Sequence, residues 1–377
     1  MKRILFYLSL ATAGSLFFQN CSNNDSNDIP VVAEEKKIEN IVANNADRIV
    51  ENYRDLYTKT LELQTAVNAI QLNDVTTLNT AKEAWRKARV AWENSEAFLF
   101  GPVHGEHNSI CVENVDDAID TWPIDVTTTN QILDNNKPIT AEVIDGENTG
   151  GFHALEYMLW AERMENQQVD FTEKTKITNS RELEFAKAVA QNLVAKTKAV
   201  KDAWEQEYYY TFTSPSVGNK GDFLTYKDVL IQLIEGMQEI TGEVANKKIG
   251  NVLAPKDESG NPIPGASADL TQEESRFSKN SVTDFADNIQ GVKNSYTGIY
   301  GTSSGVSLSN LLKDKNPVLD TKIINAMDAA IASIKSLGNF TNAVINNPTA
   351  VEQAQEKVND LQLIIDQELK PYIQNNF

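Results

Sequence analysis

IENIVANNADRIVENYRDLY, residues 38–57, sets Ile38, Ile41, Val42, Ile49, Tyr53, Leu56 and Tyr57 on one stripe, with Glu, Asn, Asp and Arg between them. A stripe recurring at three and four residues is the signature of a half-buried α-helix, here expected over 35–72. The same reading gives a second helix over 77–99, closing in Ala97-Phe98-Leu99-Phe100 before Gly101-Pro102. Further helices are expected at 151–166 and at 174–210, the latter ending in Tyr208-Tyr209-Tyr210. TFTSPSVGNKGD, residues 211–222, then breaks the pattern.

Beyond the break, Phe223, Tyr226, Val229, Leu230, Leu233, Ile234, Met237 and Ile240 repeat the helical period. Ser281-Val282-Thr283-Asp284 fits a capping box and predicts a helix running to about 300. Asn316-Pro317 and Asn347-Pro348 each read as an Asn cap with proline in the first helical turn, the first of them equally readable as the restart of a helix begun near Ser307. The last helix is expected over 348–372. Gly291 and Gly298, seven apart, predict close helix packing on one face. Two stretches, 101–149 and 249–280, show no sustained period and read as long loops, a feature uncommon in compact proteins and often functional. No segment alternates as a strand does. The fold class expected is all-α: two four-helix-bundle-like domains packed together, each with one long irregular loop.

Met1-Lys2-Arg3 followed by the apolar run Ile4 to Phe18 reads as an export signal over 1–20. That run is too short and interrupted for a comfortable membrane span. Cys21 then precedes the polar tether SNNDSND, so residues 21–34 suggest a lipid-anchored start, although Phe18-Gln19-Asn20 departs from the usual lipoprotein cleavage pattern. Plain secretion is the alternative; a disulfide to Cys111 would fasten only a loose tail. The body divides into 35–212 and 213–377. The chain of 377 residues carries a net charge of −19, and loss of residues 1–20 removes Lys2 and Arg3 and no acid, leaving −21. Such a surface repels nucleic acid and anionic membranes.

Chemistry concentrates in GGFHALEYMLW, residues 150–160. His153 and Glu156 stand three apart, on one helix face, and read either as a buried hydrogen-bonded pair or as two ligands of one metal ion. Gly151 permits close backbone approach. Glu96, beside an apolar helix end, and Asp125, in Asp120-Thr121-Trp122-Pro123-Ile124-Asp125, are candidate completing groups; a solvated face and a helix cap are their plain readings. His104, His107 and Cys111 have spacings that suit a soft metal, with Cys111 equally readable as a small buried hydrophobe. Glu273-Glu274-Ser275-Arg276 is the most unusual polar stretch of the second half: it can project Ser275 or Arg276 into a cleft between domains, or simply pair Arg276 with Glu273 or Glu274. HExxH, the nucleophile elbow and the duplicated carboxylate motifs of di-iron bundles are absent.

Taken together, GGFHALEY, SEAFLFGP (95–102), DTWPID (120–125) and EESRFSKNSVTDFADNIQGVKNSYTG (273–298) resemble the imelysin family, exported bacterial proteins that include many lipoproteins. The resemblance implies two helical halves with a site where they meet, His153 and Glu156 as the motif residues, and Glu96, Trp122, Asp125, Ser275 and Arg276 nearby. It implies iron or zinc as cofactor, an outer-membrane uptake partner, and a link to iron acquisition. Two alternatives stand beside that. One is a zinc metallopeptidase using Glu96 or another carboxylate as base, with Glu156 at the metal and Arg276 on the oxyanion. The other is a non-catalytic glycan- or protein-binding module offering Trp122 and Tyr208 to Tyr210 as flat contacts.

Overall fold

The computed structural model describes residues 28–103, 115–216, 223–257, 261 and 263–377. The export signal with Cys21, and the loop with His104, His107 and Cys111, lie outside them. The helices are α1 (Asp28–Asn68), α2 (Val75–Ser95), α3 (Val115–Asp120), α4 (Val126–Asp134), α5 (Ala141–Gly146), α6 (Gly151–Trp160), α7 (Ser180–Ala203) and α8 (Tyr209–Thr213). They continue with α9 (Tyr226–Glu243), α10 (Ser281–Thr297), α11 (Leu308–Lys315), α12 (Pro317–Lys335), α13 (Phe340–Asn346), α14 (Pro348–Ile364) and α15 (Lys370–Asn376). Two two-residue strands, Ile299–Tyr300 and Ser303–Ser304, form an antiparallel hairpin after α10. The fold is all-α apart from that hairpin.

The apolar stripe of α1 is buried as expected, with Ile41, Val42, Tyr53, Leu56 and Leu63 sealed against α2 and α7. α10 lies against α2, α9 and α12, and α14 against α9 and α12. Buried residues of both halves form one continuous core, so the first-half helix α2 and the second-half helix α10 share an interface rather than facing each other across solvent. Gly291 makes that contact close: a Cβ there would stand 2.4 Å from the Asn94 carbonyl. Gly298, read from the sequence as a second packing glycine, instead ends α10 in the left-handed region at φ 66°.

Local signals succeed where side chains serve the backbone. Asn316 accepts the Leu319 amide at 3.2 Å and starts α12, while Ser307 and Asn310 form a reciprocal box that starts α11 as a separate helix. Asn347 precedes α14 without capping it. The box expected at Ser281 does not form: the cap position is Asn280, Ser281 donates to Glu273, and Asp284 is drawn into a buried polar network. The stretch 101–149 is likewise less irregular than its pattern suggests. It holds α3, α4 and α5, helices of six to nine residues, too short to show two turns of periodicity. In the described part of 249–280 the chain is irregular but for a 3-10 turn at Leu270–Gln272.

Candidate metal centre

Six segments converge on one buried spot. α2 brings Arg89 and Glu93 on its core face, one turn apart, with Glu96 in the turn that follows. α3 ends on Asp120, α6 carries His153 and Glu156, and the second half supplies Lys248, Glu274 and Asp284. All but the half-buried Asp120 are buried, with His153, Glu156, Arg89, Glu93 and Asp284 at 0% exposure. α6 reaches this depth because Gly151, at φ 82°, passes the Ile119 carbonyl, where a Cβ would meet the oxygen at 2.6 Å.

The two ring nitrogens of His153 have different surroundings. Nδ1 lies 3.0 Å from Glu156 Oε2, and Glu156 Oε1 accepts the Ser278 amide at 2.7 Å. The motif pair is therefore in contact, and Glu156 is fixed from behind by the backbone of the 273–280 turn. Nε2 stands 3.2 Å from Asp120 Oδ1 and 3.8 Å from Glu274 Oε1 as charge contacts, yet it lies outside hydrogen-bond geometry with either and makes no hydrogen bond among the described residues. The Trp122 ring packs edge-on against the imidazole, 5.0 Å between centroids. Asp120, His153 and Glu274 offer ligand atoms all within 4.8 Å of one another. Glu93, Glu96 and Asp120 do the same, as do Glu93, Glu274 and Asp284.

Two buried cations knit these acids together. Arg89 bonds Asp120 and Glu93 and reaches Glu274 at 3.0 Å and Asp284 at 3.3 Å. Its guanidinium lies over the rings of Phe152 and Trp85. Lys248 Nζ sits 3.0 Å from Glu96 and 3.1 Å from Glu274. Burial alone would lower the pKa of His153, but the Asp120 carboxylate beside Nε2 and the hydrogen bond to Glu156 lift it to about 9. Asp120 is likewise disfavoured by burial, and the charges of Arg89 and His153 overcome that and hold it well below the usual carboxylate range. Burial pushes Glu96 well above that range, with Lys248 opposing, and raises Asp284 despite Arg89. Asp116 rises to about 7 through burial and the neighbouring Asp120. Among the described residues the carboxylates of Glu93, Glu96, Asp120, Glu156, Glu274 and Asp284 face Arg89, Lys248 and His153, with Arg276 near Glu156, an excess of negative charge that calls for protons or a further cation.

The spot is reachable. A cleft of about 270 Å³ opens beside it, lined by Glu96, Asp116, Asp120, Trp122, Lys248 and Glu274 among others. Other sequence candidates are placed differently. Asp125 caps α4, its carboxylate accepting from the amide and hydroxyl of Thr128. Ser275, at φ 55°, donates to Asp284 at 2.5 Å and braces the turn. Arg276 turns away from Glu273 and Glu274, donating to the Gln168 carbonyl at 2.6 Å and the Gln167 side chain at 2.8 Å, with Phe277 beneath it. Tyr208 is buried against Trp204 while Tyr210 is 65% exposed, so the three tyrosines share no flat surface. Asp120, Glu274, Glu93, Arg89 and Lys248 were missed as site residues. One signal was present: Arg89 and Glu93 fall on the same stripe as Trp85, Ala88 and Trp92, and charge on a core face needs a partner.

An all-helical chain with a histidine and several carboxylates buried at the foot of an acidic cleft defines the class of protein. The chain belongs to the Imelysin family, whose model matches residues 49–367. It is similar to iron-regulated protein A of Synechococcus elongatus, 25% identical over 341 residues covering 86% of this chain and 84% of that protein. A crystal structure described as that of an iron-regulated protein A precursor from Parabacteroides distasonis superposes with a TM-score of 0.73 at 25% identity, covering 88% and 94% of the two chains. An imelysin-like protein from Psychrobacter arcticum shares the fold, with a TM-score of 0.66 at 14% identity over 90% and 96% of the two chains.

Proposed function

We propose that this protein binds a divalent metal ion, iron or zinc, at His153 Nε2 with Asp120 and Glu274, and that it serves iron acquisition. The observation that carries the reading is the buried Nε2, which makes no hydrogen bond among the described residues and faces two carboxylate oxygens that Arg89 and Lys248 also touch. One imidazole and two carboxylates suit either ion as a donor set. Glu156 on Nδ1 would then act as the outer partner that fixes the ring and its tautomer, as carboxylates do behind metal-bound histidines. The names of the relatives from Synechococcus and Parabacteroides point to iron rather than zinc. Two domains, 35–212 and 213–377, meeting at the cleft agree with a site that draws His153 and Asp120 from one side and Glu274 and Lys248 from the other. Export through residues 1–20, lipid on Cys21, placement at the outer membrane and an uptake partner there complete the proposal.

The metallopeptidase reading has less support. Arg276 is engaged with residues 167–168, and Glu96 is engaged by Lys248. The test is metal content by elemental analysis after exposure to Fe(II) or Zn(II) and dialysis. Wild-type protein should retain about one equivalent; His153→Ala and Glu274→Gln should retain none, and Glu156→Gln should bind roughly 10–100-fold more weakly. A folded wild-type protein that stays metal-free after both loadings overturns the reading.

A further inference from the structure

A second cavity, of about 470 Å³, lies at the C-terminal end of α10, the helix whose first turn carries Asp284, between that end, the hairpin, and the starts of α11 and α12. Its wall mixes hydroxyl, amide and charged groups with apolar surface in about equal measure, Ile299 and Ile324 among the latter. At its edge Asp320 is 4% exposed and carries an unusual set of partners. Its Oδ1 accepts both the Tyr296 hydroxyl at 2.9 Å and the Ser309 hydroxyl at 2.7 Å. Among the described residues none donates to Oδ2 and no cationic side chain pairs with the carboxylate, although Lys313 lines the same cavity. The position of Asp320 in the first turn of α12 offsets part of the cost of burying the charge. It does not supply a donor to the second oxygen.

Much of the remaining lining, unlike Asp320, is open to solvent: Ser304, Asn310, Lys313 and Asn325 are exposed. Among the described residues, the Ser304 hydroxyl, the Asn325 amide and the Lys313 ammonium have no hydrogen-bond partner, and Asn310 uses its oxygen for the cap of α11 while its Nδ2 has none. Lining groups that support the walls, such as Thr321 on the Pro317 carbonyl, are by contrast fully engaged. The cavity therefore presents a carboxylate acceptor, amide groups that both give and accept, a hydroxyl and a single ammonium. One negative and one positive group leave it close to neutral, which disfavours a phosphate, because Asp320 would face it, and a multivalent cation, because only one carboxylate is on hand. Vicinal hydroxyls match the carboxylate and amide groups, and the isoleucines offer surface to C–H faces.

We infer that this cavity binds a neutral polyhydroxylated ligand of mono- or disaccharide size, with Asp320 Oδ2 accepting from its hydroxyls and Asn325 contributing from the facing edge. The site is independent of the metal centre. The probes are glucose, galactose, mannose, N-acetylglucosamine, maltose, cellobiose and sorbitol, tested on the full chain by saturation-transfer NMR and calorimetry. At least one should bind with Kd below about 10 mM. Asp320→Asn keeps an oxygen for Tyr296 and Ser309 but turns the free acceptor into a donor, and should weaken that ligand about tenfold or more. Asn325→Ala changes an exposed helical position and should weaken it several-fold without altering the melting temperature. His153→Ala should bind the sugar as wild type does, which separates this inference from the metal reading. Absence of binding by every probe, or equal binding by wild type, Asp320→Asn and Asn325→Ala, overturns it.

Discussion

Lys248→Met isolates what holds the buried carboxylates together. The ammonium sits 3.0 Å from Glu96 and 3.1 Å from Glu274. At an effective dielectric near 20 each contact is worth about 5 kcal/mol of gross attraction, most of it offset by the cost of burying the charges. Removing one member of such a set leaves its partners buried and unpaired, which typically costs about 3–5 kcal/mol. Against a total stability of about 5–15 kcal/mol the variant should still fold. The loss should depend on pH, and the sign follows from Glu96. Its folded pKa is already raised by burial, so it takes up a proton more readily than in the unfolded chain. Without Lys248 opposing, that tendency grows, and the penalty for ionising the site increases with pH. Urea unfolding at pH 5 and pH 8 should therefore show the full loss at pH 8 and roughly half of it at pH 5. A loss below about 1 kcal/mol at pH 8, or the same loss at both values, would refute the claim that Lys248 balances these carboxylates.

Three further outcomes follow from the same coordinates. His153, with its folded pKa raised to about 9, gives stability that is complete below its unfolded value near 6.5 and lost as pH rises through 9; the metal-free His153→Gln protein should show a flatter decline in melting temperature between pH 7 and 9, where wild type loses about 2 kcal/mol. Gly151→Ala forces a side chain onto the Ile119 carbonyl at positive φ and should cost more than about 2 kcal/mol by denaturant melting, whereas Gly146→Ala, with open space around it, should stay within about 0.5 kcal/mol. Asn316→Ala removes the cap of α12 and should cost about 1 kcal/mol, while Asn347→Ala, where no cap bond exists, should change stability by less than about half of that.

What the amino-acid order determined by itself is local. A stripe such as Ile41, Val42, Ile49, Tyr53 and Leu56 can be buried only as a helix face, and Asn316 before Pro317 can start a helix from nearest neighbours alone. These signals defined the all-helical class, and the spacing of His153 and Glu156 put both on one face of α6. The short helices of 101–149 escaped because six to nine residues complete too few turns to establish a period. The capping box at Ser281 failed because a stronger claim on its groups came from residues close in space: Ser281 went to Glu273, and Asp284 to Ser275 and Asn280.

The partners of the site were decided by tertiary structure. Within DTWPID the sequence gives no ground to prefer Asp120 over Asp125, yet one faces His153 and Arg89 while the other caps α4. Lys248 and Glu274 each alone read as an ordinary solvated charge, and Glu93, though on the core stripe of α2, does not say which distant residue meets it. Only the packing of α2 on α10, with the 273–280 turn laid over α6, removes water from between them. Charges acquire chemistry through what surrounds them, and that surrounding is a property of the folded chain.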